Sequence, residues 1–299
     1  MLRLRVDAQT ARVVRAFDAA GIDAILFKGP SFERWLYEDD SVRTYVDTDL
    51  LVSPARFTQA EDVLAGLGYT RVATSEELGE PIPAHTFRGA RPGDSVDLHH
   101  TLPGAEVEPA EVWAVLWPRT VALAVGNVEC RALDLDARAM HVAIHAAFHG
   151  ARSPKQMEDL RRAVALLGEA DWRRSAELAA RLRAGAAFAT GLRLDPEGAR
   201  VAAALGLPSE SSVDLRIRAS TAPPTALGIA RLASTPGIGA KAALLAREAV
   251  PSRAALRDWT PLARRGPAGV AAAYALRPFW LLAHLPAAVR AWRRAARQP

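Results

Sequence analysis

The apolar periodicity of this chain changes once, and that change limits the folds open to it. Up to about residue 130, helix-like and strand-like segments alternate. From Asp134 to Glu248 nearly every segment carries apolar residues at helical spacing. Residues 7–20 have such spacing and stop at Gly21, a helix terminator. IDAILF (22–27) then reads as a short buried strand ended by KGP, and SFERWLYED (31–39) as a helix with Phe32, Trp35 and Leu36 on one face. TYVDTDLLV (44–52) reads as a second strand, and a helix opens at Pro54 and closes at Gly68. YTRVAT (69–74), HTFRGA (85–90) and SVDLHHTL (95–102) are three further strand-like pieces. Mixed elements followed by helices predict an α+β fold with an α/β domain over 1–130 and an all-helical domain over 131–250. A basic helical tail completes the chain over 251–299.

With 50% hydrophobic and 24% charged residues, the 299-residue chain is globular in composition. Its single cysteine, Cys130, excludes an intramolecular disulfide and fits a reducing compartment. The first residues lack the continuous apolar core of a secretory signal, so a cytoplasmic location is expected. The basic residues are nearly all arginine, and the only lysines are Lys28, Lys155 and Lys241. Of the net charge of +5, residues 251–299 contribute +8, from nine arginines and one acid, which leaves −3 for residues 1–250. The basic character therefore belongs to the tail and does not make the body a nucleic-acid binder.

The strand YVDTDLLV sets two carboxylates, Asp47 and Asp49, into an apolar run. Residues i and i+2 of a strand share a face, so the two project together while Thr48 points away. Burying two like charges is costly unless a cation compensates them. Asp97 and His99 form a second such pair in SVDLHHTL. If the two strands are neighbours, three carboxylates converge in a pattern suited to hard divalent cations, two of which can clamp the oxygens of a phosphoryl transfer. A lone D-x-D on an edge strand is, by contrast, usually a solvated pair.

The order of LFKGPS (26–31), a short helix and then DTDLLV resembles the nucleotidyltransferase fold of the DNA polymerase β superfamily. In closer detail the chain resembles the bacterial family of uncharacterised nucleotidyltransferases. The likeness rests on the FKG turn, Arg43 shortly before the D-x-D, LAGLGY (64–69), VDLHHTL, MHVAIHAAFHG followed by QMEDLRRAVALL, and VPSRAALR (250–257). It covers about residues 10–260. It implies that Asp47 and Asp49 bind metal and that Asp97 is the third carboxylate, able to draw a proton from an acceptor hydroxyl. It also implies that Gly29 lets backbone N–H groups approach a triphosphate, that Ser31 donates to a phosphate oxygen, and that Lys28 and Arg43 supply phosphate charges. The implied cofactors are two Mg²⁺ ions, with Mn²⁺ as a substitute, and the donor is an NTP, ATP being weakly favoured. The acceptor is open among small molecules, peptides and proteins, with nucleic acid less favoured. Two features depart from the superfamily: Pro30 stands between Gly29 and Ser31 and removes one N–H, and Gly29 lies 18 positions before Asp47. A non-catalytic nucleotide- or partner-binding relative is the alternative reading.

His141, His145 and His149 follow i, i+4, i+8 on one helix face and are expected at a domain interface or cleft, a separate metal site being the lesser reading. His99 is a neighbour of the carboxylates, and His100 points the other way. Asp159 either lines the cleft or pairs with Arg161 or Arg162. Trp113 and Trp117, at i, i+4, are expected in the core. The tail offers three readings: a packed helix with snorkelling arginines, a peripheral contact with an anionic membrane, or a docking surface. The first is favoured, because Trp280, Leu281, Leu282 and Leu285 call for burial.

Overall fold

The structure is a computed structural model and describes residues 2–37, 43–72 and 83–297. Two compact units contain them, one formed by residues up to 72 and from 83 to 209, the other by residues from 210 onward. Residue 130 lies inside the first unit and residue 251 inside the second.

The first unit opens with α1 (Leu2–Ala19), closed by Gly21 at φ 66° with the Ile22 N–H returned to the Phe17 carbonyl at 2.9 Å. β1 (Ala24–Leu26), α2 (Pro30–Leu36) and β2 (Thr48–Val52) follow. A 3-10 turn at Pro54–Arg56 leads into α3 (Phe57–Gly66), and then come β3 (Thr70–Arg71), β4 (Ala84–Arg88) and β5 (Ser95–His99). The last residues of two expected elements, 38–39 and 73–74, lie outside the described residues. β2 begins later than the expected strand, because Tyr45 is drawn to α1, its hydroxyl donating to Asp7 at 2.6 Å. Asp47 therefore sits in a bend just before the strand.

After α4 (Pro109–Leu116) the chain forms a hairpin absent from the segments expected above, β6 (Thr120–Val125) and β7 (Val128–Leu133). Its signal is the two-residue connection Gly126–Asn127, with Gly126 at φ 58°. The hairpin matters, because β7 pairs in parallel with β1 and completes the centre of a mixed seven-stranded sheet in the order β3-β4-β5-β2-β1-β7-β6. On one face of that sheet Leu26, Leu50, Val52, Val96 and Leu98 pack with Val13, Val14 and Phe17 of α1 and Leu64 of α3. Thr48 is bound on that same side, 2.9 Å from both the Gln9 Nε2 and the Thr10 hydroxyl. Trp113 and Trp117, expected in the core, are instead a half-buried stacked pair with ring centroids 5.0 Å apart.

Five helices complete the first unit: α5 (Leu135–His149), α6 (Pro154–Leu166), α7 (Glu169–Arg181), α8 (Gly185–Leu192) and α9 (Pro196–Ala204). The Asp134 carboxylate caps α5 by accepting from the Ala137 N–H at 2.9 Å. α8 lies so close to α5 that a Cβ on Gly191 would stand 1.8 Å from the Ala143 carbonyl oxygen, so only glycine fits there. The contact holds α5, with its row of histidines, in a fixed place within the unit.

The second unit contains α10 (Val213–Ala219), α11 (Thr225–Ser234), α12 (Ile238–Ala249), α13 (Arg253–Trp259) and α14 (Pro267–Arg297). Two small clusters hold it together, Ile217, Ala226, Ala230, Ala291 and Ala295 in one, Leu256, Ala263, Val270 and Ala273 in the other. α14 continues through Pro278 and Pro286, although each removes a backbone donor. The burial expected for the tail is not general. Trp280 and Leu281 are half-buried, whereas Leu282 is 65% and Leu285 42% exposed, beside Phe279 at 71%. On α14 the buried apolar positions are Val270 and the small residues Gly269, Ala273, Ala288, Ala291 and Ala295. Among the described residues no helix is long and apolar enough to cross a membrane.

Candidate active site

β2 stands between β1, which runs antiparallel to it, and β5, which runs parallel. The parallel register sets Asp49 directly opposite Asp97. Neighbouring strands lie about 4.8 Å apart, so side chains opposite one another on one face converge. Asp47, in the bend before β2, completes the group. Oxygens of Asp47, Asp49 and Asp97 all lie within 4.8 Å of one another. This is the one group of three or more acidic, histidine or cysteine ligands among the described residues that is arranged to hold a metal ion.

Each carboxylate has its own surroundings. Asp49, 3% exposed, receives the Lys28 ammonium at 2.6 Å on Oδ1, with His99 Nε2 3.4 Å from the same oxygen. Asp97 Oδ1 accepts from the Thr86 hydroxyl at 2.7 Å. Burial pushes Asp49 toward its neutral form, but the Lys28 charge and the His99 contact outweigh it and hold the carboxyl well below the usual carboxylate range. For Asp47 and Asp97 burial and the neighbouring Asp49 charge prevail, and both carboxyls are raised. Lys28 is pulled down by burial but raised on balance by Asp49, Asp47 and Asp97, so it stays an ammonium.

Lys28 leads into Gly29, whose φ of 61° and ψ of −116° only glycine adopts without strain. Pro30 then occupies the first position of α2, where its missing N–H costs nothing to the helix. Ser31 is fully buried, its N–H bonded to the Lys28 carbonyl at 3.3 Å and its hydroxyl without a protein partner. Arg43 is 3% exposed and engaged by Asp159, Nε to Oδ1 at 2.8 Å and Nη2 to Oδ2 at 2.7 Å. The Tyr37 hydroxyl donates to the same Oδ1 at 2.8 Å. Asp159 thus pairs with Arg43 and not with Arg161 or Arg162, both of which bind Glu158. The remaining Arg43 nitrogen, Nη1, is buried without a protein partner.

The histidines of α5 form a packed row. His141 meets Phe27 edge-on at 4.8 Å and Phe32 at 5.5 Å, and ring centroids of His145 and His149 are 4.3 Å apart. Burial, then the Lys28 charge, hold His141 and His145 well below the usual histidine value, so both are neutral. His100 packs away from the carboxylates, its ring 5.1 Å from Phe57. One residue at the site carried no functional reading from the sequence. Lys155, in the first turn of α6, is half-buried and lowered by burial and Arg43 while Asp47 pulls the other way. Its signal was rarity: two of the three lysines in an arginine-rich chain stand at these carboxylates.

Among solved structures the chain is similar to the antibiotic-resistance factor ANT(2'')-Ia, at 16% identity over 62% of this chain and 96% of that one, with a TM-score of 0.46. It is also similar to an antigenic nucleotidyltransferase-like protein from Paracoccidioides brasiliensis, at 18% identity over 68% of this chain and 92% of that one, with a TM-score of 0.38. No curated protein matches it. A family model described as uncharacterised nucleotidyltransferase matches residues 2–197, a span that contains all three carboxylates and both neighbouring lysines. The chain belongs to this nucleotidyltransferase family.

Proposed function

We propose that this protein transfers a nucleoside monophosphate from an NTP, ATP in the first instance, to an acceptor hydroxyl with release of pyrophosphate. The observation that supports it is the meeting of Asp47, Asp49 and Asp97 within 4.8 Å in a chain of this family. Three carboxylates beside one ammonium leave a net negative charge that a divalent cation fits. Mg²⁺ held there, as two ions or with Mn²⁺ in its place, supplies charge neutralisation at the reacting phosphate.

The protein's own residues do the rest. The acceptor oxygen forms a bond to the α-phosphorus as the bond to the β-phosphate's bridging oxygen breaks, and the acceptor proton passes to Asp97, the carboxylate of the group that stands on β5. Lys28 and Lys155 are the cations placed for the phosphates. Gly29 lets the turn before α2 take a backbone shape closed to other residues. Arg43 is held rigidly by Asp159, which balances its charge, and its buried Nη1 has no protein partner and is open to further bonding. Catalysis of this kind is positioning and electrostatics.

Calorimetric titration with each of the four NTPs, with and without Mg²⁺, tests the reading on the wild type and an Asp47→Ala/Asp49→Ala variant. Mg²⁺-dependent binding of at least one NTP, lost in the variant, is the expected result. A folded wild type that binds no NTP overturns it. Tight binding without turnover on any acceptor would favour the nucleotide-binding relative over the enzyme.

A further inference from the structure

Without a metal, three carboxylates within 4.8 Å need a counter-charge, and the chain brings its own. Lys28 Nζ lies 2.6 Å from Asp49 Oδ1, the most buried of the three carboxylates and the one in register with Asp97. The ammonium thus engages an oxygen that a divalent cation at the triad would take. Two cations cannot share that oxygen at such range without strong repulsion.

The choice of lysine is informative. Of 38 basic residues only three are lysines. Where this fold needs a permanent ion pair it uses arginine: Arg43 grips Asp159 through two parallel hydrogen bonds at 2.8 and 2.7 Å, both partners almost wholly buried. At Asp49 it places a single-point contact on a flexible four-carbon stem, with 15% of the Lys28 side chain still exposed. A bidentate guanidinium would lock the carboxylate, whereas an ammonium can leave it for a better anion.

We infer that Lys28 is a displaceable counter-ion that holds the triad closed to metal until a nucleotide triphosphate draws it away. This rests on the proposed function and adds a coupling to it. Because NTP removes the ammonium that competes with the metal, NTP raises metal affinity, and metal raises NTP affinity by the same factor. The site then loads as a metal–nucleotide unit and does not fill with free cation.

The test is Mn²⁺ binding, followed by the electron paramagnetic resonance signal of free Mn²⁺, with and without a non-hydrolysable ATP analogue. It compares wild type, Lys28→Met and Lys28→Arg, each shown to be folded by circular dichroism. Wild type is expected to bind Mn²⁺ weakly alone and about tenfold more tightly with the analogue. Lys28→Met should bind Mn²⁺ alone about tenfold more tightly than wild type, with little further gain from the analogue. Lys28→Arg, which keeps the charge, should bind Mn²⁺ more weakly than wild type in both conditions. A Lys28→Met protein whose Mn²⁺ affinity is unchanged or lower overturns the inference, as does Mn²⁺ affinity in Lys28→Arg equal to that of wild type. Failure of all three proteins to bind Mn²⁺ overturns the metal reading of the triad and this inference with it. A gain in Lys28→Met with no effect of the analogue on wild type upholds the counter-ion, but overturns the coupling and counts against the proposed function.

Discussion

Asp49 and Asp97 face each other in register and burial raises both carboxyls, yet their net shifts are opposite, because Lys28 and His99 outweigh burial at Asp49 alone. Asp49 has an ammonium in contact, so it contributes stability, fully present above the unfolded value of about 3.9 and lost as pH falls through its depressed value. Asp97 and Asp47 are raised, so they weaken the metal-free fold at neutral pH, and that penalty lifts as pH falls through their raised values. Replacing Asp97 with Asn should therefore raise the denaturation midpoint of the metal-free protein at pH 7, with the gap to wild type narrowing toward acid pH, while Mg²⁺ binding is lost. Replacing Asp49 with Asn should instead destabilise it by about 3 kcal/mol, because Lys28 is left buried without its contact. Urea denaturation of both variants over a pH series checks the pair of signs, and two destabilised variants would show that the triad is not strained. Such opposed effects are what a functional site imposes on a fold: groups placed for a ligand cost stability in its absence. The sequence exposed the carboxylates through their position in an apolar run. It gave no hint that Ser31 would be fully buried or that Arg43 would be held by Asp159, since those outcomes depend on contacts 116 residues apart for Arg43.

At the scale of elements, the site depends on two packings. α1 anchors the segment before β2 through Asp7–Tyr45 and the Gln9 and Thr10 contacts to Thr48, which turn Thr48 to one face of the sheet and Asp49 to the other. α8 fixes α5 through the close approach at Gly191. Gly191→Ala should force the two helices apart and cost about 1–3 kcal/mol, measured by urea denaturation. An unchanged midpoint would mean the helices have slack that the 1.8 Å approach denies. Most helices could be read from the chain because their stops are local: Gly21, the Gly150–Pro154 stretch and Pro196 each end or begin one. The β6–β7 hairpin was harder to read although its strands are six residues each, because β6 is largely exposed, so that burial did not mark it as it marked TDLLV.

For the whole molecule, every residue of the candidate site lies in the first compact unit. A chain ending at Ser209 should keep its fold and its Mn²⁺ binding, which circular dichroism and Mn²⁺ titration would check; loss of binding in a folded product would assign the second unit a part in the site. In that second unit, Phe279→Ser together with Leu282→Ser should change the unfolding free energy, measured by urea denaturation, by no more than about 0.5 kcal/mol, since both side chains are more than half exposed. A larger loss would show that this stretch of α14 is covered in solution. The amino-acid sequence by itself determined the mixed first half, the helical second half, the charge asymmetry and the identity of the three carboxylates, because helix and strand periods and turn residues act within a few positions of one another. Only the tertiary structure decided that β2 and β5 pair in parallel with Asp49 against Asp97, that Lys28 neutralises the first of these, and that Arg43 serves Asp159. Those facts follow from strand order and register, which join residues far apart in the chain through packing that no local pattern records.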